Sequence, residues 1–476
     1  MTARALLRAL VLFALSGWLA LAGAAGLPES VRHALREARI PLENVAIWVQ
    51  PVDAKRPILT LNADRPLHPA SVMKLVTAFA AFERLGPTYT WTTRVSTTGA
   101  LVDGVLYGDL HLTGGADPLL SFERMWKLLR QVRALGIAEV RGDIVLDGSA
   151  LRLPAHDPAA FDGQGLRPYN TGAYGLLLHF NTLQLTLLPA GEPGAPVAVA
   201  ASPPLQGLAI DNRLVSTGGA CDVWYRDLGA TLEAGPAGPR LVLAGSLPAS
   251  CGRRDWSTAP FAPQQFGTAM VAALWAEVGG VVRGAVRVGN TPPESVTLLL
   301  EPSPPLADVV REMNKWSSNV IARQLLASLG ASESLALDMV AGGAEVAHAQ
   351  LAAAGIDTDG LVIENGAGLS RIERIRADSL GALLLAAWRR PYMPEFIAAL
   401  PLAGLDGTAR RRLATSPVRG QAHLKTGTIN GVRALAGYVL DRKGARHAVV
   451  MMVNHPAAAE SQAAQDALLE WVWAGH

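Results

Sequence analysis

The sequence predicts an α/β protein: an antiparallel sheet with helices, interrupted by a long β-rich insertion. Three observations predict it. Alternating apolar runs occur near the start of the chain and again near its end, helical periodicity dominates the stretches beside them, and Gly, Pro and short β-like runs fill the region between. The chain has 476 residues, half of them hydrophobic and 17% charged. This composition excludes a disordered chain and leaves room for roughly two to four domains. A formal net charge of +2 gives no argument for nucleic acid as a partner.

Taken in order, residues 1–24 read as a secretory signal. Arg4 and Arg8 precede the apolar run Ala9 to Ala22, and Ala22-Gly23-Ala24 fits a small-residue cleavage site. The run is shorter than the roughly 20 residues that span a bilayer. An uncleaved anchor helix is the alternative, and no second segment is long and apolar enough to span. The mature protein is therefore expected outside the cytoplasm, without a stable membrane span.

Segments 43–53 and 57–64 alternate apolar residues (Val45, Ile47, Val49; Leu59, Leu61, Ala63) and read as a hairpin. Pro69 and Ser71 open a helix to about Leu85, with Met73, Val76, Phe79, Ala80 and Phe82 at near-helical spacing. Residues 91–259 form the inserted β-rich section, with β-like runs at 105–113, 140–146, 182–188 and 240–247 and one helix at 121–135. Cys221 and Cys251 lie inside it. In an oxidising compartment a single disulfide is expected; two unpaired buried thiols is the other reading. Helical patterns return at 266–278, 305–329, 333–354 and 378–388. Strand-like runs at 423–425, 432–440 and 447–453 follow, then a helix at 457–473 whose end carries apolar residues able to dock on the sheet. If the early hairpin and the late strands share one sheet, 25–90 and 260–476 make a single domain around the insertion.

Three short motifs carry the chemistry: Ser71-Val72-Met73-Lys74 (S-x-x-K), Ser317-Ser318-Asn319 (S-x-N) and Lys425-Thr426-Gly427 (K-T-G). On a helix, residues three apart share a face, so Lys74 comes within reach of the Ser71 hydroxyl. A serine hydroxyl needs a neighbouring base, and an amine serves only when neutral, which requires burial or a nearby cation. Lys425 is the candidate cation. Each motif alone has a bland reading: a capping Ser with a solvated Lys, an ordinary loop, a strand ending in a turn. Together, in this order, in a chain with only six Lys, they point to an acyl-enzyme. Neither H-E-x-x-H, G-x-S-x-G nor a P-loop occurs, no zinc ligand set is visible, and no His has an acid/base partner in sequence.

With these residues in view, the chain resembles the D-alanyl-D-alanine carboxypeptidase/endopeptidase family, the class C low-molecular-mass penicillin-binding proteins. The resemblance spans nearly the whole mature chain. It rests on His68 to Lys74, on Gly108-Asp109-Leu110 with Gly114 to Pro118, and on Ser303 to Leu306. It continues in Met313 to Asn319, Asn365 to Arg371, Leu402 to Thr408 and Leu424 to Thr428. The long gap between Ser71 and Ser317 matches this family rather than class A β-lactamases. Ser318 stands where Asp or Asn is frequent and is expected to face away from substrate.

The resemblance implies the penicillin-binding, serine β-lactamase-like transpeptidase fold. It also implies hydrolysis of D-Ala–D-Ala termini or D-alanyl–diaminopimelate cross-links of peptidoglycan in a periplasm, with β-lactams as acylating ligands and no cofactor or metal. Ser71 would be the nucleophile, Lys74 its base and Ser317 a proton relay. Asn319 would orient the acyl chain, Lys425, Thr426 and Thr428 would hold the substrate carboxylate, and the N–H groups of Ser71 and Thr428 would bind the oxyanion. Asp162 is a candidate contact to the diamino-acid amine. A β-lactamase or esterase on the same fold, and a catalytically silent peptidoglycan-binding protein, are the alternatives.

Overall fold

The computed structural model describes residues 26–236, 238–332 and 337–475. The signal segment 1–24 and the start of the helix expected from Glu333 lie outside the described residues. Five antiparallel strands form the central sheet: β1 (Val45–Pro51), β2 (Leu59–Leu61), β3 (Ala422–Ile429), β4 (Val432–Leu440) and β5 (Arg446–Asn454). Their order across the sheet is β3-β4-β5-β1-β2, so the early hairpin joins the late strands through β1 and β5.

Both faces of this sheet are covered, which explains why β1 and β5 read as nearly continuous apolar runs. Side chains alternate between faces along a strand. Ala448, Val450 and Met452 of β5 join one core, and Val449, Met451 and Val453 join the other. The second core is closed by α1 (Glu29–Glu37) through Val31 and Leu35, and by the final helix Gln462–Trp473 through Leu468, Leu469 and Val472. That final helix starts later than the 457 expected, after a 3-10 turn over Ala458–Ser461.

The first core holds the helical layer: α2 (Lys74–Leu85), α3 (Leu306–Trp316), α4 (Asn319–Ala331), α5 (Met339–Ala353) and α6 (Ala377–Trp388). Helix α2 is buried along its first nine residues, among them Phe79 and Phe82. Each fully buried aromatic or aliphatic side chain of this kind contributes about 1.5–3 kcal/mol. Helix α6 lies close on the sheet at Gly381, where a Cβ would stand 2.4 Å from the Trp48 ring.

The inserted section has its own core. Val95, Leu128, Leu146, Leu185, Leu243 and Trp275 are among its members. Its helix Phe122–Ala134 is capped by Ser121, which accepts from the Arg124 N–H. Cys221 and Cys251 are joined by a disulfide within it. The helix Pro263–Glu277 buries Phe266, Met270 and Leu274 in this same core. The strand Val296–Pro302 then pairs antiparallel with Thr92–Thr97. A division at 259 thus cuts through a packed unit that continues to Pro302. Helical periodicity at 266–278 does not reveal which core the helix faces.

Candidate active site

The segment that carries Ser71 enters by a tight path. Ala70 has a left-handed φ of 45°, and Ala70–Met73 form a 3-10 turn before α2 begins at Lys74. Ser71 therefore sits in a 3-10 turn and not in the first turn of an α-helix. With three residues per turn, positions i and i+3 stack directly, and Lys74 Nζ lies 3.1 Å from Ser71 Oγ. His68 fastens the entry: its Nδ1 accepts the Ala70 N–H at 2.9 Å and its Nε2 donates to Ser370 O at 3.0 Å. Burial lowers its pKa to about 4, so the ring is neutral in this role.

Lys74 is fully buried. Burying an ammonium costs several kcal/mol, and its pKa falls well below the ordinary lysine range, by burial first and then by the charge of Lys425. A neutral amine has two N–H groups and one lone pair. The Ala367 carbonyl at 2.5 Å and Asn319 Oδ1 at 2.7 Å take both N–H groups. The lone pair is left for the Ser71 hydroxyl, which is the arrangement a general base requires. Glu373, also fully buried, accepts N–H bonds from Glu364, Asn365 and Gly366 and so shapes the turn that presents Ala367.

The second motif is a helix break. Ser317 ends α3 in a left-handed conformation (φ 58°), and Ser318 caps α4 by accepting from the Ile321 N–H. The break aims the Ser317 hydroxyl at Lys425, which donates to it at 2.8 Å. The Ser318 hydroxyl is used in the cap. Lys315 secures the end of α3 through Asp406 Oδ2 at 2.6 Å and Leu400 O at 2.7 Å.

The third motif lies inside β3 rather than at its end, and β3 is an edge of the sheet. At Gly427 a Cβ would stand 2.7 Å from Pro69 O and 2.8 Å from Ser71 N, so only glycine lets the strand approach the nucleophile turn this closely. Lys425 is fully buried, and burial pulls its pKa down to about 7. Thr426 is half-buried and Thr428 exposed; Thr426 Oγ1 is 3.2 Å from Thr408 Oγ1. Ser71, Ser317, Thr426 and Thr428 all line one cavity of about 400 Å³.

Across the cleft, α4 carries the inserted section. Arg323 donates to Tyr169 O at 3.2 Å and to Thr171 O at 2.8 Å, and Gln324 bonds Ala116 and Tyr174 backbone groups. Asn319 Nδ2 also reaches Tyr169 O, at 3.4 Å. Asp162 stands on this loop, exposed, with hydrogen bonds from Tyr169 Oη and Asn170 Nδ2 at 2.8 Å each. Its partial burial opposes ionisation, but these bonds hold the carboxyl below the usual range.

All three motifs therefore meet at one point. Three contributors had no side-chain signal that marked them. Ala367 acts through its carbonyl, Arg323 is legible only as a residue four after Asn319 on the same helix face, and Glu373 lies behind the turn. His447, without a visible partner in sequence, pairs with Asp441 at 3.0 Å near the turn between β4 and β5.

A buried lysine of lowered pKa against a serine, a second lysine against a second serine, and an edge strand beside both define a serine acyl-transferring enzyme of the penicillin-binding class. Comparison with known proteins narrows this. The chain belongs to the D-Ala-D-Ala carboxypeptidase 3 (S13) family, whose model matches residues 27–474. It is 31% identical over 396 residues to the D-alanyl-D-alanine carboxypeptidase of Actinomadura sp. (strain R39), covering 79% of this chain and 72% of that one. It is 23% identical over 415 residues to the D-alanyl-D-alanine carboxypeptidase DacB of Haemophilus influenzae, covering 86% and 85%. The crystal structure of penicillin binding protein 4 (dacB) from Haemophilus influenzae superposes with a TM-score of 0.77 at 21% identity, over 93% of this chain and 99% of that one. The same protein with a β-lactam bound gives 0.73. This chain is a serine-type D-Ala-D-Ala carboxypeptidase of that family, with the penicillin-binding fold expected from the sequence.

Proposed function

We propose that Ser71 is the nucleophile of a peptidoglycan DD-peptidase acting on D-alanyl bonds, and that β-lactams acylate it. The observation that carries this reading is Lys74: a buried amine 3.1 Å from Ser71 Oγ with both of its N–H groups already engaged. Ser71 Oγ attacks the D-alanyl carbonyl carbon as its proton passes to Lys74. The oxyanion is held by the N–H groups of Ser71 and Thr428; donors of this kind are each worth about 3–4 kcal/mol. The C–N bond breaks and the leaving amine takes a proton through Ser317, which Lys425 holds at 2.8 Å. Water then supplies hydroxide to the acyl carbon and a proton back to Ser71.

Lys425, Thr426 and Thr428 bind the carboxylate next to the leaving amine. Asp162, held by hydrogen bonds from Tyr169 and Asn170, takes the ammonium group of a diamino acid on the acyl side in this reading. The enzyme works in the periplasm after removal of residues 1–24. No helix among the described residues is long and apolar enough to cross a membrane.

The test is mass spectrometry of the mature protein after benzylpenicillin, beside Ser71→Ala, with peptidoglycan fragments as second substrate. A lasting adduct on the Ser71 peptide, lost in the variant together with peptide cleavage, is expected. Rapid penicillin hydrolysis without an adduct would make it a β-lactamase instead, and neither adduct nor turnover would leave a silent binding protein.

A further inference from the structure

One buried acid beside the Ser71 cleft takes no part in the steps above. Glu373 is fully buried, three residues after Ser370. The turn in front of it is tied to α2: Thr77 Oγ1 donates to Gly366 O at 2.7 Å, and Ala367, the next residue, presents its carbonyl to Lys74 Nζ. Glu373 Oε1 accepts the Gly366 N–H at 2.9 Å, so its carboxyl stands one residue behind the carbonyl that touches Lys74. The same oxygen accepts from Glu364 at 3.1 Å and from Asn365 at 2.9 Å. Oε2 has no hydrogen-bond partner among the described residues. A side-chain amide would serve these three N–H groups with its one oxygen. The shape of the turn therefore accounts for Oε1 and leaves Oε2, and the charge, without a role.

The neighbouring cations supply one. Lys74, Lys425 and Arg323 are all buried. Lys425 donates to Ser317 Oγ and Thr426 O, and Arg323 to the carbonyls of Tyr169 and Thr171, all of them neutral acceptors. The charges of Lys425 and Arg323 drive the proton off Lys74, and that of Glu373 acts the other way. Burial lifts the Glu373 carboxyl above its ordinary range, and the three N–H bonds and the charge of Lys74 oppose this. Of the other charged groups nearby, exposed Glu364 acts on Arg323, and Arg371 and Arg374 act on His68, whose ring is uncharged. A general base must be weak enough to be free of its proton and strong enough to take one from a hydroxyl. The ammonium formed by that transfer is a buried charge, which is costly unless it is paired. We infer that Glu373 is a positioning residue that supplies the counter-charge for Lys74: its carboxylate offsets Lys425 and Arg323 and stabilises the ammonium that forms when Lys74 takes the Ser71 proton. The proton passes from Ser71 Oγ to Lys74 Nζ, and Glu373 stays ionised throughout. This rests on the acyl-enzyme reading above and deepens it.

The experiment measures the rate of Ser71 acylation by benzylpenicillin, from mild acid to mild alkali, for the mature wild type, Glu373→Gln, Glu373→Asp and Arg323→Gln. Glu373→Gln keeps an oxygen for the three N–H groups and removes the charge. It should lower the rate by about threefold where the rate does not depend on pH, the effect of a base about one pH unit weaker, and move the acid limb to lower pH by about that unit. Glu373→Asp keeps the charge and should keep the limb where the wild type has it. Arg323→Gln removes an opposing charge and should move the limb to higher pH, which keeps the test decisive should Glu373→Gln fold poorly. The counter-charge is overturned if Glu373→Gln acylates like the wild type across the range, or if the Gln and Asp variants lose rate equally with the limb unmoved. It is also overturned if Arg323→Gln leaves the limb in place or lowers it. Absence of penicilloyl-Ser71 in the wild type overturns the acyl-enzyme reading itself, and the counter-charge with it.

Discussion

Replacing Asn319 tests whether Lys74 is a neutral base whose lone pair is aimed by its neighbours. Asn319 Oδ1 accepts from Lys74 Nζ at 2.7 Å, with the Ala367 carbonyl taking the second N–H. Asn319→Asp puts a carboxylate at that contact with little change in shape. An opposite charge within about 4–6 Å raises a lysine pKa by about 1–3 units. Once that pKa exceeds the assay pH, the neutral fraction drops tenfold per unit. At an assay pH below that raised pKa, the rate of acylation by benzylpenicillin should thus fall by about tenfold for each unit that separates them and recover as pH rises. Asn319→Leu removes the acceptor without adding charge, so the loss is of alignment only. A hydrogen bond of this kind is worth about 0.5–1.5 kcal/mol, hence a loss of about three- to tenfold that does not depend on pH. The assay is time-resolved mass spectrometry of the penicilloyl adduct between mild acid and mild alkali. If Asn319→Asp acylates at the wild-type rate throughout that pH range, or falls by a factor that pH does not change, Lys74 is not the neutral base and the reasoning fails.

Three further outcomes are expected. Lys425 titrates at about 7, so kcat/KM on peptide substrates should decline above that pH as the cation that attracts the substrate carboxylate is lost. The limb in kcat should lie higher, because bound carboxylate holds the proton. The same shift has a stability consequence: the folded pKa is below the ordinary lysine value of 10.5, so the unfolded chain binds more protons between about 7 and 10.5 and stability rises with pH across that window; urea titrations at several pH values read this. Gly427→Ala forces β3 away from the nucleophile turn, because its Cβ would meet Pro69 O at 2.7 Å and Ser71 N at 2.8 Å; acylation should drop by about 100-fold while circular dichroism stays native. Opening the Cys221–Cys251 bridge, whose cysteines are 30 residues apart, with Cys221→Ser plus Cys251→Ser should cost about 3–4 kcal/mol in the inserted section. Calorimetry should show a lower Tm, with Ser71 acylation unchanged in the cold.

The class of fold and the candidate site side chains were legible in the sequence because they rest on local signals. Alternation in 43–53 and 447–453 marks strands wherever they end up, and S-x-x-K works within one turn, where i and i+3 stack by geometry alone. S-x-N and K-T-G were readable only as a set with the first motif, since each is an ordinary short sequence by itself. Tertiary structure decided what depends on packing between distant segments. It decided that β1 pairs with β5, that helix Pro263–Glu277 belongs to the inserted core, and that Ser71 lies in a 3-10 turn clamped by His68. It also decided the protonation logic of the site. The type of a residue does not lower the pKa of Lys74; full burial and the nearby charge of Lys425 do, and two acceptors from α4 and the 365–373 turn take its N–H groups. The sequence determined which groups are present and which of them are one helical turn apart. Desolvation and hydrogen-bond saturation, which set what those groups do, arise only when segments hundreds of residues apart close around them.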